Sequence, residues 1–401
     1  MAGRARSVGD RGGAGRGFLP GFAAGALVAA AIAVAVVALT GGFGGGSDLP
    51  TDARETIEQN YFQAVDGSML DNASVDGMVS ALKKRYHDRF SHYFDPHQLR
   101  EFDASTSGRF SGVGLTVTGV KRGLKVASVI PHTPAQRAGI KPGEVIVGVD
   151  GHSIAGVPEQ VAVGRIKAPP GTPVTLRVVS RSGKGHQVTL KRASVAVPVA
   201  TGQIKHAGAT KVADVRFATF SAGAHGELSQ TIERLDRRGA QGLVLDLRGN
   251  GGGLLQEAVL SASLFLKKGE RVVSTKSRTM GNRDYDALGH PLPAHPTVVL
   301  IDHNTASAAE ILASALQEHH LATVVGTRSF GKGTFQEVIR LAAGGALDLT
   351  VGRYFTANGT SLLGKGIKPD VHARDDPNTK GDEALHRALA VLAEKAAVQN
   401  R

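Results

Sequence analysis

Between Arg16 and Asp48 the chain carries no charged side chain, and Phe18 to Leu39 within that gap is almost wholly Ala, Val, Leu, Ile and Phe. As a helix these 22 residues span about 33 Å, close to the ~30 Å hydrocarbon thickness of a bilayer. Arg4, Arg6, Arg11 and Arg16 precede the run and neutral, glycine-rich Gly41 to Ser47 follows it. The positive-inside rule then keeps the N-terminus in the cytoplasm and places everything after about Gly46 outside. A cleaved signal peptide is the rival, because Ala33-Val34-Ala35 has an Ala-x-Ala pattern; secretory apolar regions are usually only about 7–15 residues. The expectation is a single-pass plasma-membrane protein with a cytoplasmic tail over 1–17, an anchor over 18–39 and a linker over 40–51.

A chain of 401 residues leaves room for two or three domains beyond the anchor. Residues 52–108 alternate apolar and polar side chains at helical spacing, as in Ile57, Tyr61, Phe62 and Val65, then Met78, Leu82 and Tyr86. Asp71 or Ser74 is a candidate cap and Asp95-Pro96 a turn. His87, His92 and His97 recur at intervals of five, which does not line one helical face, so they read as surface histidines and not a metal site. Over 109–193 the texture changes to short β-branched strands and glycine turns, a compact β-rich module with short helices at Pro134–Gly139 and Pro158–Lys167. Strands then alternate with helices over 194–375, with Leu243–Leu247 and Thr297–Ile301 as buried strands and Leu254–Phe265 and Ala306–Glu318 as helices. Residues 376–401 close the chain as an Ala/Leu-rich amphipathic helix.

The formal charge is +12, of which +3 lies in residues 1 to 16. The remainder reads as scattered over the ectodomain, with no basic run interleaved with aromatics, so no nucleic-acid partner is expected. The absence of Cys removes disulfides, thiol nucleophiles, Fe–S clusters and Cys-ligated zinc together. No metal and no cofactor is expected.

Three stretches of the α/β part suggest chemistry. Asp246-Leu247-Arg248-Gly249-Asn250-Gly251-Gly252-Gly253-Leu254-Leu255 runs from a strand into a helix, and its glycines free backbone N–H groups to point into a cleft. It contains neither a Walker nor a dinucleotide spacing, and a tight strand-to-helix turn explains it equally well. Asp302-His303-Asn304-Thr305-Ala306-Ser307-Ala308-Ala309-Glu310 follows a strand and opens a helix, with Asn304 or Thr305 as its cap. Ser307 would then lie at the positive end of the helix dipole with the Ala308 N–H beside it, although a first-turn serine is common. Ser329-Phe330-Gly331-Lys332-Gly333-Thr334-Phe335-Gln336 sets a lysine between glycines beside an aromatic. Burial lowers a lysine pKa, as a general base requires, but a solvated turn lysine is the commoner case.

Together the three resemble the C-terminal processing peptidases, the tail-specific serine proteases of family S41 built on a Ser/Lys dyad. Gly108-Arg109-Phe110-Ser111-Gly112-Val113-Gly114-Leu115 resembles that family's entry into a PDZ domain. Pro134-Ala135-Gln136-Arg137-Ala138-Gly139-Ile140-Lys141-Pro142-Gly143-Glu144-Val145-Ile146 is similar to its PDZ signature. Gly364-Lys365-Gly366-Ile367-Lys368-Pro369-Asp370 resembles its closing motif, and Ser307 and Lys332 stand 25 residues apart, also the family's separation.

The resemblance implies an α+β, α/β multidomain fold: transmembrane helix, small helical region, PDZ domain and crotonase/ClpP-like α/β peptidase domain. It implies Ser307 as nucleophile, Lys332 as base and Gln336 orienting the lysine. The oxyanion donors would be Ala308 and Gly252. Gly112, Val113, Gly114 and Leu115, with Lys167 near the end of the PDZ helix, would receive a substrate's C-terminal carboxylate. Its partners would be proteins or peptides with free C-termini, with a homo-oligomer or a regulatory partner possible. Gly251 departs from the proline usual before the Gly-Gly pair, Ala309 from a common Ser and Ala168 from a usual Gly. A catalytically inactive PDZ scaffold and an acyl-CoA enzyme of crotonase type remain as alternatives; intact Ser307, Lys332 and Gln336 argue against the first, the PDZ signature against the second.

Overall fold

The computed structural model describes residues 49–376, 379 and 381–399. The expected cytoplasmic tail, the anchor Phe18 to Leu39 and most of the linker lie outside the described residues. Among the described residues no helix is long and apolar enough to cross a membrane. Two compact units divide the chain, one running to Ser74 and one from Val75.

In the first unit, α1 (Leu49–Asn60) begins within the segment read as linker and buries no side chain. Arg54 lies 3.6 Å from Glu58 and 3.5 Å from Asp71, pairs of the exposed, weakly stabilising kind. Helix α2 (Gly67–Tyr86) crosses from the first unit into the second.

The second unit continues with β1 (His92–Phe94) and α3 (Pro96–Thr106). Asp95-Pro96 is more than a turn. The Asp95 carboxylate accepts from the His97 and Gln98 amides while Gln98 Oε1 accepts from the Asp95 amide, a complete capping box with proline in the first helical position.

The β-rich module follows: β2 (Arg109–Gly112), β3 (Leu115–Val120), β4 (Gly123–Val129), α4 (Pro134–Arg137), β5 (Val145–Val149), β6 (His152–Ser153), α5 (Glu159–Ile166), β7 (Pro173–Val179), β8 (Gly185–Lys191) and β9 (Ala193–Ala196). Strands β3-β4-β5-β7-β8 form an antiparallel sheet, and β2 pairs with β9 where the chain enters and leaves. Inward side chains alternate along the strands, so Val174, Leu176 and Val178 meet Leu124 and Val126 and, from the helix, Ala162 and Ile166.

The α/β part contains β10 (Ala200–Ala207), β11 (Thr210–Phe217), α6 (Ala224–Asp236), β12 (Gly242–Asp246), α7 (Leu255–Ala262), β13 (Arg271–Ser277), β14 (Gly281–Asp286), β15 (Thr297–Ile301), α8 (Ala308–Glu318), β16 (Ala322–Gly326), β17 (Thr334–Arg340), β18 (Ala346–Thr356), β19 (Val371–His372) and α9 (Glu383–Gln399). Its main sheet has the order β10-β11-β12-β15-β16-β19, parallel from β11 onward. Both faces are covered, which is why β12 and β15 read as unbroken apolar runs. Leu243, Leu245, Val299 and Ile301 face α6, α7 and α8; Val244, Val298 and Leu300 face α9. A second sheet, β1-β18-β13-β14 with β17 on β18, stands beside it. The functional loops leave the C-terminal ends of β12 and β15, where open parallel sheets hold their ligands.

Candidate active site

Helix α8 starts at Ala308, two residues later than its sequence suggests. Thr305 does not cap it: its hydroxyl accepts from the Asp302 amide at 3.0 Å and donates to the Leu247 carbonyl at 2.9 Å. Ser307 is instead the cap residue, with φ 57° and ψ −120°. A non-glycine residue held at positive φ stores strain of order 1–3 kcal/mol, a cost that clusters at functional sites.

The glycine loop and the serine loop are fastened together. Ala306 N–H donates to the Asn250 carbonyl at 2.9 Å, and Gly249 N–H to Asp302 Oδ1 at 2.9 Å. Gly252, at φ +100°, lies so close that a Cβ there would meet Ser307 Cβ at 2.8 Å and the Ala308 nitrogen at 2.9 Å. Only glycine fits. Gly252 and Ala308 are thus brought side by side, but the Gly252 N–H donates to Asn250 Oδ1 at 2.9 Å. Among the described residues the Ala308 N–H has no acceptor. Gly251 has open space around its missing Cβ, so its departure from proline is not forced by packing.

Lys332 is positioned by close approach of the 362–366 segment. A Cβ on Gly331 would meet the Gly366 nitrogen at 2.7 Å, and one on Gly333 the Leu363 backbone at 2.5 Å. The closing motif therefore cradles the lysine turn, with Ile367 N–H donating to Ser329 Oγ at 2.6 Å.

One buried carboxylate joins the two halves. Glu310 Oε2 accepts from the Ser307 amide at 2.9 Å and the Lys332 amide at 3.0 Å; its Oε1 accepts from Ser329 Oγ at 2.6 Å and the Gly331 amide at 2.7 Å. Tyr354 adds a hydroxyl contact at 3.4 Å while accepting from the Gly333 amide at 3.1 Å. Burial, then the neighbouring Glu310 carboxylate, pushes the Tyr354 hydroxyl pKa well up, so it stays a donor. Glu310 closed the serine motif in the sequence without any role attached to it.

Ser307, Ala308, Lys332 and Gln336 line one cavity of about 580 Å³, with Leu255, Ile311 and Tyr354 supplying apolar wall. Ser307 Oγ and Lys332 Nζ make no hydrogen bond to each other. Lys332 Nζ sits 5.2 Å from the centroid of the Phe90 ring, which stands edge-on to Phe330 at 6.4 Å. Burial drives the Lys332 pKa down, while the Asp348 and Glu310 carboxylates hold part of that shift back. Asp348 itself is pushed up by burial, and His92 Nδ1 lies 3.9 Å from its Oδ2. Gln336 does not reach Lys332; its Nε2 donates to Thr350 Oγ1 at 3.0 Å. Thr350 in turn donates its amide to Ser91 Oγ at 3.0 Å and its hydroxyl to Asp88 Oδ1 at 3.1 Å, which fixes the segment presenting Phe90.

In the β-rich module, Gly112 ends β2 and Leu115 begins β3. Among the described residues the Val113 and Gly114 amides between them have no acceptor, while their carbonyls take the Ala135 and Ile130 amides. Gly114 adopts φ +87° because a Cβ would run into Thr133 at 2.3 Å. Lys167, exposed at the end of α5, is brought near this turn by the Ser111 hydroxyl, which donates to the Ala168 carbonyl. Among the described residues no group of three His, Asp or Glu could hold a metal ion.

The Peptidase family S41 profile matches residues 211–373, and the PDZ domain profile matches 102–179. The carboxy-terminal processing protease CtpA of Bacillus subtilis is 34% identical over 327 residues, covering 81% of this chain and 68% of that protein. A carboxy-terminal-processing protease of Bartonella bacilliformis is 36% identical over 326 residues, 80% of this chain and 73% of that one. A solved structure from Bacteroides fragilis described as an S41 protease superposes with a TM-score of 0.51, at 18% identity over 88% of this chain and 97% of that chain; it speaks to the fold alone.

Proposed function

Because the chain belongs to peptidase family S41 and is a carboxy-terminal processing serine protease, we propose that Ser307 is its nucleophile and Lys332 its general base. The observation that carries this reading is Glu310, whose carboxylate holds the backbones of both residues around one cavity. Neutral Lys332 takes the Ser307 proton and Ser307 Oγ attacks the peptide carbonyl; the C–N bond then breaks as Lys332 returns the proton to the leaving amine, and water hydrolyses the acyl-enzyme. Burial lowers the Lys332 pKa and so favours the neutral amine that a general base requires. The Ala308 amide is unspent and suits the developing oxyanion; Gly252 joins it once its N–H exchanges Asn250 for that oxygen. The reaction also requires Lys332 Nζ to leave the Phe90 face and reach Ser307, with Gln336 released from Thr350 to steady it.

On the same reading the PDZ domain receives the substrate tail. The free Val113 and Gly114 amides take its carboxylate, Lys167 adds positive charge, and the exposed edge of β3 pairs with the peptide. Phe18 to Leu39 anchors the chain in the plasma membrane with the N-terminus cytoplasmic and the protease outside, as the preceding arginines favour.

The test is cleavage of an unstructured protein by the full chain beside Ser307→Ala and Lys332→Ala. Each substitution is expected to reduce kcat at least about 1,000-fold, with iodoacetamide and EDTA without effect on the wild type. Undiminished cleavage by Ser307→Ala overturns the assignment. A wild type as inert as both variants favours a scaffold, or a protease that awaits a partner.

A further inference from the structure

The excess positive charge is not scattered as the sequence suggested. Residues 109–193 hold thirteen Lys and Arg against three carboxylates, a net +10 out of the chain's +12. Those three are already spent on the fold. Glu144 is buried and accepts from the Lys141 amide at 2.9 Å, Asp150 accepts from the Thr175 amide at 2.8 Å, and Glu159 accepts from the Gly119 amide at 2.7 Å. Arg192 is buried, 4.0 Å from Asp150, and donates to the Ile166 carbonyl. The other twelve cations are exposed, and among the described residues none of them forms an ion pair. The peptidase domain behaves differently, since Arg216, Arg248, Arg271 and Arg340 all meet carboxylates within 3.4 Å.

Unpaired like charges on one small domain repel one another, so this arrangement works against the domain's own stability. Part of the charge gathers on one face. Buried Val174, Leu176 and Val178 point into the core, which sends Arg177 outward, opposite Gln187. Thr175 and Thr189 share that face through a 3.0 Å hydroxyl contact, and Lys125 lies outward between buried Leu124 and Val126. A groove of about 720 Å³ runs there, lined by Arg122, Arg177, His186, Gln187 and Ser153 with no carboxylate among its walls. Helix α5 packs on the opposite, inner face, so contact at the outer face does not involve it.

We propose that the outer sheet face of the PDZ domain, centred on Arg122 and Arg177, docks on the anionic phospholipid headgroups of the membrane. The proposal rests on the anchor reading above, which puts the domain beside a bilayer. Spread-out exposed cations without a buried donor match a repeating array of surface phosphates better than one enclosed anion. The groove also lacks the aromatic platforms with which single-stranded nucleic acid is held.

The chain has no cysteine, so Gln187→Cys accepts one fluorophore on this face. Full-length protein is placed in nanodiscs of phosphatidylcholine alone, or of equal parts phosphatidylcholine and phosphatidylglycerol, each with a headgroup-labelled acceptor lipid. Energy transfer is expected to be at least about twofold greater in the anionic discs and to fall towards the neutral value at ~1 M salt, where the Debye length is only about 3 Å. Adding Arg122→Glu and Arg177→Glu should abolish the difference without lowering the thermal unfolding temperature. Equal transfer in both discs, or an undiminished difference in the charge-reversed protein, overturns the proposal. So does displacement by stoichiometric DNA or polyglutamate, which would assign the face to a soluble polyanion. A failed anchor shows separately, as protein that elutes apart from the discs; flotation with anionic but not neutral vesicles then decides the docking claim.

Discussion

At the scale of single residues, the active site is organised by a side chain that makes no claim to chemistry of its own. Glu310 satisfies donors from Ser307, Ser329, Gly331 and Lys332; only the Ser307 contact, a capping box three positions away, is local, and the other three come from a turn some twenty positions on that no local pattern announces. Glu310→Ala strands those buried donors, each costing about 1–3 kcal/mol if left unpaired. It is expected to lower the unfolding temperature and to cut kcat about 100-fold, since a shift of roughly 1 Å in reacting groups has that effect. A variant with full kcat would show that the tie is dispensable. Asp348 acts on Lys332 through charge instead of position. Its carboxylate favours the ammonium, while His92 and Asp88 act on Asp348 in turn, the first lowering and the second raising its pKa. Asp348→Asn removes that support, so the Lys332 pKa falls further and more of the lysine is neutral at a given acidity. The acidic limb of the kcat/KM profile should therefore move to lower pH; a move to higher pH would mean that another group titrates there.

At the scale of elements, strands and helices with strong periodicity could be read directly, while interruptions by glycine misled. Gly352, a residue that weakens a strand interior, lies inside β18, which nevertheless runs unbroken from Ala346 to Thr356. The glycine is there for space: a Cβ would meet the Lys276 carbonyl at 2.5 Å and the Phe335 ring at 2.6 Å. Phe90 was equally invisible, since it reaches Lys332 only because the Asp88–Ser91 turn is bonded to Thr350 across the sheet. Ser307, Ala308, Gly252 and Lys332, each ambiguous alone, were joined in the sequence by the resemblance to family S41; the fold brings them together because their loops leave adjacent parallel strands or close upon them. The turn that carries the lysine depends on its glycines. Gly333, at φ +58° against the Leu363 backbone, admits no Cβ without moving that segment. Gly333→Ala is expected to cost about 1–3 kcal/mol and to reduce kcat with little change in KM, measured by denaturant unfolding beside steady-state kinetics. Equal stability and equal kcat would mean that the turn tolerates displacement.

At the scale of the whole molecule, the glycine loop is coupled to the far end of the chain. Arg248 begins that loop and bonds Asp246 at 2.8 Å, Asp375 at 3.0 Å and Asp382 at 2.8 Å, so it clasps the start of α9 to the C-terminal end of β12, an interior strand of the main sheet. Behind the clasp, Leu385, Ala388 and Leu392 cover Val244, Val298 and Leu300, the sheet face that α6 to α8 leave bare. Burial opposes ionisation of Asp382, but the Arg248 hydrogen bonds outweigh it and hold its pKa below the ordinary carboxylate value. A carboxylate with a lowered folded-state pKa contributes stability above its unfolded pKa and loses that contribution as pH falls through the folded one. Arg248→Gln should therefore cost about 1–3 kcal/mol at neutral pH, a value between exposed and buried pairs. That corresponds to a fall of roughly 2–4 °C in Tm per kcal/mol for a domain of this size. The gap from wild type should narrow as the buffer is made acidic and Asp382 protonates. Because the same residue launches the loop that brings Gly252 to Ala308, kcat should fall as well, even at temperatures where the variant is fully folded. A stability loss that is independent of pH would mean that Arg248 acts by packing; an unchanged kcat would uncouple the C-terminal clasp from the oxyanion loop.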